Sequence, residues 1–251
     1  MNTPVHTQAH PEERKHSTGD EKLRITDLHA FYGESHILHG IDLYVNKGEM
    51  ATLLGRNGSG RSSTLKSIMN LVGRRTGSIM VNGRETIDMP SHQIAYLGLG
   101  YCPEERGIFS SLNVEENLML PPAVRSDGMS VDEIYQMFPN LYERRFSQGT
   151  RLSGGEQQML ALARIMRSGA NILLLDEITE GLAPVIVKKL AEVLDQLKRR
   201  GLTILLVEQN FHFAAPIADR HYVMEHGHIV EEIHKDELES KKELLNTYLG
   251  V

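Results

Sequence analysis

Nine consecutive residues, Gly55-Arg56-Asn57-Gly58-Ser59-Gly60-Arg61-Ser62-Ser63, follow the apolar run Met50–Leu54 and precede a helical pattern over residues 62–69. Glycines at these spacings let successive backbone N–H groups turn inward toward an anion. The helix that follows adds the positive end of its dipole and its unpaired first-turn donors. This is the make-up of a phosphate-binding loop, Gly-x-x-x-x-Gly-Lys-Ser/Thr, with one departure: Arg61 stands where lysine is expected. Downstream, the continuous apolar run 171–176 ends in Asp176, and Glu177 comes next. Such a run reads as a strand buried on both faces of a parallel sheet, whose carboxyl end is where ligands bind. Ser62 can then ligate Mg²⁺ through its hydroxyl, and Asp176 can hold the same ion directly or through water. Glu177 can act as general base on a water in line with a γ-phosphate. Alone, the Asp176-Glu177 pair reads as a helix N-cap at a strand end; with the phosphate loop upstream, nucleotide hydrolysis is the stronger reading.

The rest of the chain supplies the frame. Two alternating runs, 23–32 and 37–45, predict antiparallel strands, with Tyr32 in the turn between them, exposed and able to stack on a base. Residues 77–82 and the Asn82-Gly83 pair predict another strand and a tight turn. From about residue 104 to 150 strand signals fade, Pro121-Pro122 breaks the chain and 131–138 predicts a short helix, so a helical insertion is expected in an otherwise α/β chain. In Leu152-Ser153-Gly154-Gly155-Glu156-Gln157-Gln158, Ser153 and Glu156 form a capping box that opens a helix running to about Arg167. The glycine pair is expected to leave that helix N-terminus bare for a phosphate. Ile186, Leu190, Val193, Leu194 and Leu197 form a helix stripe stopped at Gly201, and 203–207 predicts a second buried strand before Glu208-Gln209-Asn210. A hairpin over 222–233, turning at His226-Gly227, and an amphipathic helical tail over 235–249 complete the chain.

Composition narrows the function. At 251 residues, 40% hydrophobic and 24% charged, the chain fits one large domain or a domain with an inserted subdomain. A net charge of -6 argues against nucleic acid as a partner, since that affinity comes largely from neutralising phosphates. No apolar run approaches the roughly 20 residues needed to cross a bilayer. Residues 1–20 are polar, lack periodicity and carry His6, His10 and His16, which predicts a disordered tail rather than a signal peptide. The single cysteine, Cys102, excludes an internal disulfide, fits a reducing cytosol and is expected to be a small, half-buried packing residue.

Taken together, residues 152–158, the loop at 55–63 and the acidic strand end at 172–177 resemble the signature motif, Walker A and Walker B of ATP-binding cassette (ABC) ATPases, and the likeness runs from about residue 23 to 249. The resemblance implies a P-loop NTPase fold of α/β class: a RecA-like, mostly parallel sheet, an antiparallel β subdomain and a helical subdomain at about 104–165 within a domain spanning 21–251. It implies ATP and Mg²⁺ as cofactors and a sandwich dimer with a second cassette subunit. Each ATP would be held by Tyr32 and residues Gly55 to Ser63 of one subunit and by Ser153, Gly154, Gly155 and Glu156 of the other. Glu104 would join Ser62 and Asp176 at the metal, and Gln209 would join Glu177 in catalysis. The stretches Tyr101-Cys102-Pro103-Glu104-Glu105-Arg106, Val114-Glu115-Glu116-Asn117-Leu118, Thr179-Glu180-Gly181-Leu182-Ala183-Pro184 and Val207-Glu208-Gln209-Asn210 are similar to one subgroup, the smaller ATPase subunit of bacterial branched-chain amino acid importers. That subgroup implies permease subunits docked around residues 104–117, a periplasmic solute-binding protein beyond them, and a place on the cytoplasmic face of the inner membrane. Related importers of urea and other amides have similar subunits.

Two departures from the family bear on activity. Ile178 stands where proline is usual, which concerns the turn. Arg61 brings a wide planar fork where lysine threads between phosphates, so a clash or a displaced side chain is expected, with weak ATP binding and poor turnover. An ATP-sensing regulatory cassette is therefore the alternative to a transport ATPase. A translation or DNA-repair role is disfavoured, because such proteins usually carry two cassettes in one chain or a long coiled-coil insertion, and this sequence shows neither.

Overall fold

In the computed structural model, which describes residues 20–250, the first alternating stretch forms β1 (Glu21–Tyr32) and β2 (Ser35–Asn46), paired antiparallel. Leu23, Ile25, Leu28 and Ala30 share one buried face with Leu38, Ile41, Leu43 and Val45. The register shifts between Ile25 and Leu28, where Asp27 has a φ of 49°. β3 (Met50–Leu54) is buried throughout and leads through the glycine-rich loop into α1 (Arg61–Ile68). β4 (Arg74–Val81) starts three residues before the expected strand, because Arg74 to Thr76 pair with β1; β5 (Arg84–Glu85) closes the hairpin at Asn82-Gly83. These strands make an antiparallel sheet of order β2-β1-β4-β5.

α2 (Ser91–Ala95) and β6 (Leu99–Cys102) were not anticipated by periodicity. The segment from 104 to 150 holds α3 (Val114–Met119), α4 (Val131–Met137) and α5 (Pro139–Glu143) before α6 (Gly154–Ser168). Buried Asn117 fastens the loop ahead of α3: its amide donates to the carbonyls of Phe109, Leu112 and Asn113 at 3.0 to 3.1 Å and accepts from Phe109 N–H at 2.9 Å. The capping box opens α6 as expected, with Ser153 N–H donating to Glu156 at 2.8 Å and Glu156 N–H to Ser153 Oγ at 3.3 Å. Met159, Leu162, Ala163 and Met166 are buried, as the stripe required.

β7 (Ile172–Asp176), α7 (Pro184–Arg199), β8 (Thr203–Glu208), α8 (Phe211–Ile217), β9 (Arg220–Glu225) and β10 (His228–His234) follow. The tail is a 3-10 turn at Lys235–Glu237 and a helix only from α9 (Lys242–Leu249). The second sheet has the order β10-β9-β3-β8-β7-β6, parallel except for the β9–β10 hairpin. Every residue of β3, β7 and β8 is buried. Truncating a core residue such as Leu174 to alanine would cost about 2–5 kcal/mol. Because β3, β8 and β7 are neighbours and parallel, Leu54, Glu208 and Asp176 end at the same edge of the sheet. Topology thus gathers the phosphate loop, the Asp176-Glu177 pair and Gln209 from three distant parts of the sequence. The tail expected over residues 1–20, with its histidines, lies outside the described residues except for Asp20.

Candidate functional site

The loop after β3 and the start of α1 form one wall of a cleft of about 420 Å³, lined by Tyr32, Ile37, residues 57–63, Glu104, Glu177 and Glu180. That volume suits a nucleotide-sized ligand. Gly60 caps α1 with a φ of 108°, and a Cβ there would lie 2.9 Å from both Leu38 Cδ2 and Met224 Cε, so only glycine fits. No side chain caps α1 and no acid sits in its first turn, which leaves its N–H donors and dipole directed at the cleft. The buried Ser59 hydroxyl has no hydrogen-bond partner, a further unsatisfied donor in the cradle.

Arg61 does not extend along the loop. The residue is 4% exposed, and its guanidinium reaches across to the acidic strand end. Nη2 donates to Glu177 Oε1 at 2.6 Å and to Asn57 Oδ1 at 3.1 Å, and Nη1 donates to the Glu208 carbonyl at 2.8 Å. Burial lowers its pKa while Glu177, Asp176 and Glu208 hold it up. Arginine has five donors in a rigid fork, so one side chain can satisfy three acceptors together, in the glycine-rich loop, just after β7 and at the end of β8.

Opposite stands a wall of carboxylates. Asp176 Oδ1 accepts from Ser62 Oγ at 2.8 Å, and Asp176 Oδ2 from the Tyr101 hydroxyl at 3.1 Å. Burial pushes the Asp176 pKa up against those two bonds. Glu177 is raised by burial first, then by Glu180, Asp176 and Glu104, with Arg61 opposing. Glu104 is raised by burial, by the charge of Glu180 and by a hydrogen bond to it. Acids crowded this way favour a cation among them. Their donors are all oxygen, the hydroxyl of Ser62 and the carboxylates of Asp176 and Glu104, which suits a hard divalent ion such as Mg²⁺. Among the described residues no three His, Cys, Asp or Glu side chains are arranged to hold a metal alone.

Glu177 itself has a φ of 46°, in the left-handed region, an arrangement that costs about 1–3 kcal/mol and concentrates at functional positions. Its N–H donates to the Val207 carbonyl at 2.9 Å.

The remaining predicted residues divide. Tyr32, 41% exposed, ends β1 at the cleft with its ring free to stack. Gly55 and Arg56 are outside the cleft lining: Arg56 turns away and donates to the carbonyls of Tyr248 (3.1 Å) and Thr247 (3.2 Å) in α9. Gln209 is exposed immediately after β8 and does not line the cleft. Residues 153–156 also lie apart from it. The glycine pair is not uniformly bare: a Cβ on Gly155 would lie 2.9 Å from Ile186 Cγ2, so that glycine brings α6 against α7, whereas Gly154 has no neighbour closer than 3.5 Å. Cys102 is fully buried rather than half-buried, and burial pushes its thiol up to about 12, which makes it an inert packing residue.

Four contributors were missed by sequence reasoning. Tyr101 supports Asp176 from β6, a four-residue strand interrupted by Gly100, too short for a periodic signal. Glu180 lines the cleft beside Glu104. Thr179 and Glu208 bond to each other beneath it. An acid three residues past Glu177 and a threonine between them were the available signals.

The family profile described as ABC transporter matches residues 38–180. The high-affinity branched-chain amino acid transport ATP-binding protein BraG of Pseudomonas aeruginosa is 38% identical over 231 residues, covering 91% of this chain and 99% of the relative. The probable branched-chain amino acid transport ATP-binding protein LivF of Archaeoglobus fulgidus is 38% identical over 214 residues, covering 82% and 89%. Among solved structures, a dimeric ATP-binding cassette in a post-hydrolysis state with ADP and phosphate superposes with a TM-score of 0.75 at 23% identity, over 85% of this chain and 98% of that one, a likeness of fold. The phosphate loop, the acidic strand end, the fold and the relatives therefore agree, and the chain belongs to the ABC transporter family as one of its ATP-binding cassettes.

Proposed function

We propose that this cassette hydrolyses ATP to power a multi-subunit importer of branched-chain amino acids, working against the cytoplasmic face of the membrane. The observation that carries the reading is the convergence of residues 57–63, Asp176 and Glu177 at one edge of a parallel sheet, with Ser62 and Asp176 already in contact at 2.8 Å. The names of the two relatives support the substrate class.

In this reading Tyr32 stacks on adenine, and the loop amides with the α1 N-terminus hold the phosphates. Ser62, Asp176 and Glu104 would hold Mg²⁺, which would supply positive charge against the phosphates as hydrolysis proceeds. Glu177 orients a water and takes its proton as the water oxygen bonds to the γ-phosphorus and the bond to the β–γ bridging oxygen breaks, releasing ADP and phosphate. Gln209 donates a hydrogen bond to the γ-phosphate; it cannot become cationic. Ser153, Gly154, Gly155 and Glu156 complete the site of a second cassette. Their distance from this chain's own cleft supports that arrangement, as does the dimeric state of the cassette of like fold. Permease subunits dock on the segment 104–117, and a periplasmic binding protein delivers the solute.

The Arg61–Glu177 pair favours a second reading, a cassette that senses ATP and turns it over slowly while a paired subunit does the work. One experiment separates the two. The complex is isolated with its permease partners and reconstituted in vesicles, and its ATPase rate is compared with that of the isolated chain. A leucine-loaded binding protein that stimulates hydrolysis supports the importer reading. Stimulation that persists unchanged in a Glu177→Gln complex assigns hydrolysis to the partner subunit. Stimulation by urea or short amides alone moves the substrate class.

A further inference from the structure

Glu208 ends β8 and is 2% exposed. A carboxylate at that depth is unfavourable unless its oxygens are satisfied. Here they are satisfied chiefly by the neighbouring loop: Thr179 N–H donates to Oε1 at 3.2 Å, the Thr179 hydroxyl lies 3.0 Å from both oxygens, and the Asn210 N–H adds a further donor. Glu208 does not line the cleft and has no access to nucleotide. What it grips is the loop that begins at Glu177 and ends at α7.

That loop needs a grip. Glu177 sits at positive φ, and the backbone around it is held by Glu180 N–H to the Glu177 carbonyl and Leu182 N–H to the Thr179 carbonyl, each at 3.2 Å. A second path returns to the same residue. The Glu208 carbonyl accepts from Arg61 at 2.8 Å, and Arg61 donates to Glu177 at 2.6 Å. Glu177, Thr179, Glu208 and Arg61 thus form a closed ring, two limbs of which meet at Glu208. The residue that follows in the chain is Gln209.

We propose that Glu208 is a positioning residue for hydrolysis: by holding Thr179 it fixes the loop 177–183 against β8, so that Glu177 and Gln209 share one rigid frame. The proposal rests on the ATPase reading with Glu177 as base. It explains why a carboxylate occupies a core position. Thr179 and the Asn210 N–H present three donors, and the side chain in its ionised form accepts all of them. Glutamine would turn an NH₂ toward one of those donors, and leucine would satisfy none. When phosphates draw Arg61 away, the Thr179 limb remains, because its partners lie behind the cleft.

The test uses the full-length chain in single-turnover hydrolysis with Mg-ATP, alongside equilibrium binding of a fluorescent ATP analogue. Glu208→Leu and Thr179→Val are each expected to slow hydrolysis about tenfold or more, with analogue affinity within about twofold of the parent. Glu208→Gln should fall between. The double variant Glu208→Leu/Thr179→Val should be no slower than the slower single, since both break one contact. Hydrogen exchange should quicken in 177–183 and stay slow in β7 and β8. Rates unchanged within about twofold, equal losses in affinity and rate, or additive effects in the double variant would each overturn the proposal. Thr179→Val, nearly the same shape as threonine, carries the test if Glu208→Leu fails to fold. Glu177→Gln distinguishes the two levels. A Glu177→Gln protein as fast as the parent removes the ATPase assignment itself, whereas an inactive one beside fully active Glu208→Leu and Thr179→Val removes the positioning role alone.

Discussion

Arg61 and Glu177 form an ion pair at 2.6 Å, with side chains 3% and 14% exposed. The residue expected to hold the phosphates is therefore bonded to the residue expected to activate water. Each partner of so buried a pair resists being left alone, at about 3–5 kcal/mol where one partner is simply removed. Nucleotide must replace these contacts with its own before the site can turn over.

Arg61→Lys should release this constraint. A lysine is a compact point charge with no fork to bridge three acceptors, so Glu177 is freed. Steady-state hydrolysis should rise by roughly tenfold or more, which corresponds to about 1.4 kcal/mol of barrier. A variant no faster than the parent would show that the pair does not limit turnover.

Glu177→Gln should abolish most hydrolysis while keeping nucleotide affinity. Glutamine can still accept from Arg61 through its carbonyl oxygen but cannot take a proton. The expected loss in rate is about 10²–10⁴-fold, and the thermal midpoint should fall, because buried Arg61 keeps a hydrogen bond but loses its counter-charge. Rapid-quench measurement of phosphate release decides it, and a loss below about fivefold would assign the base elsewhere.

Ser62→Ala removes the hydroxyl bonded to Asp176 at 2.8 Å. ATP affinity should weaken by about tenfold in the presence of Mg²⁺ and change little in EDTA, because the hydroxyl is expected to act through the ion. Calorimetry in both buffers checks this. Equal weakening in both would mean that Ser62 binds phosphate directly.

Two buried groups should leave opposite marks on stability against pH. Burial raises Glu208 from its ordinary 4.5 to about 7, so the folded chain holds a proton that the unfolded chain gives up, and stability falls as pH rises from about 4.5 to 7. Burial lowers His221 from 6.5 to about 4, so the unfolded chain binds the extra proton, and stability is lost as pH falls from about 6.5 to 4. The His221 ring meets Thr52 Oγ1 at 2.7 Å through Nδ1, and its buried Nε2 has no partner. Each shift is worth about 3 kcal/mol across its window, and the two oppose each other where the windows overlap. Urea unfolding of Glu208→Gln between pH 5 and 7 should therefore show stability rising with pH more steeply than in the parent, and His221→Phe should show the reverse. Parallel curves for parent and variants would place both groups at ordinary pKa values.

Much of this arrangement was legible in the chain because it is written locally. Alternation specified β1 and β2, continuous apolar runs specified β3, β7 and β8, and Ser153 with Glu156 marked the start of α6. β6 escaped because it is a strand for tertiary reasons. Gly100 is there to admit Ile165 of α6, whose Cγ2 would lie 2.0 Å from a Cβ, and a glycine in a four-residue segment carries no periodic signal. The displaced course of Arg61 follows from its fork, but its destination, Glu177, is 116 residues further along and becomes a neighbour only when β3, β8 and β7 align. Glu208 reads in the sequence as the residue after the strand; its burial depends on Thr179, 29 residues away, folding back over it.

Arg56 has a last consequence. By gripping the carbonyls of Thr247 and Tyr248, it sutures the rim of the phosphate cradle to the final helix of the chain. Any contact that lifts α9 loosens that stitch, so a protein leaning on this remote end has a mechanical handle on nucleotide capture without approaching the cleft.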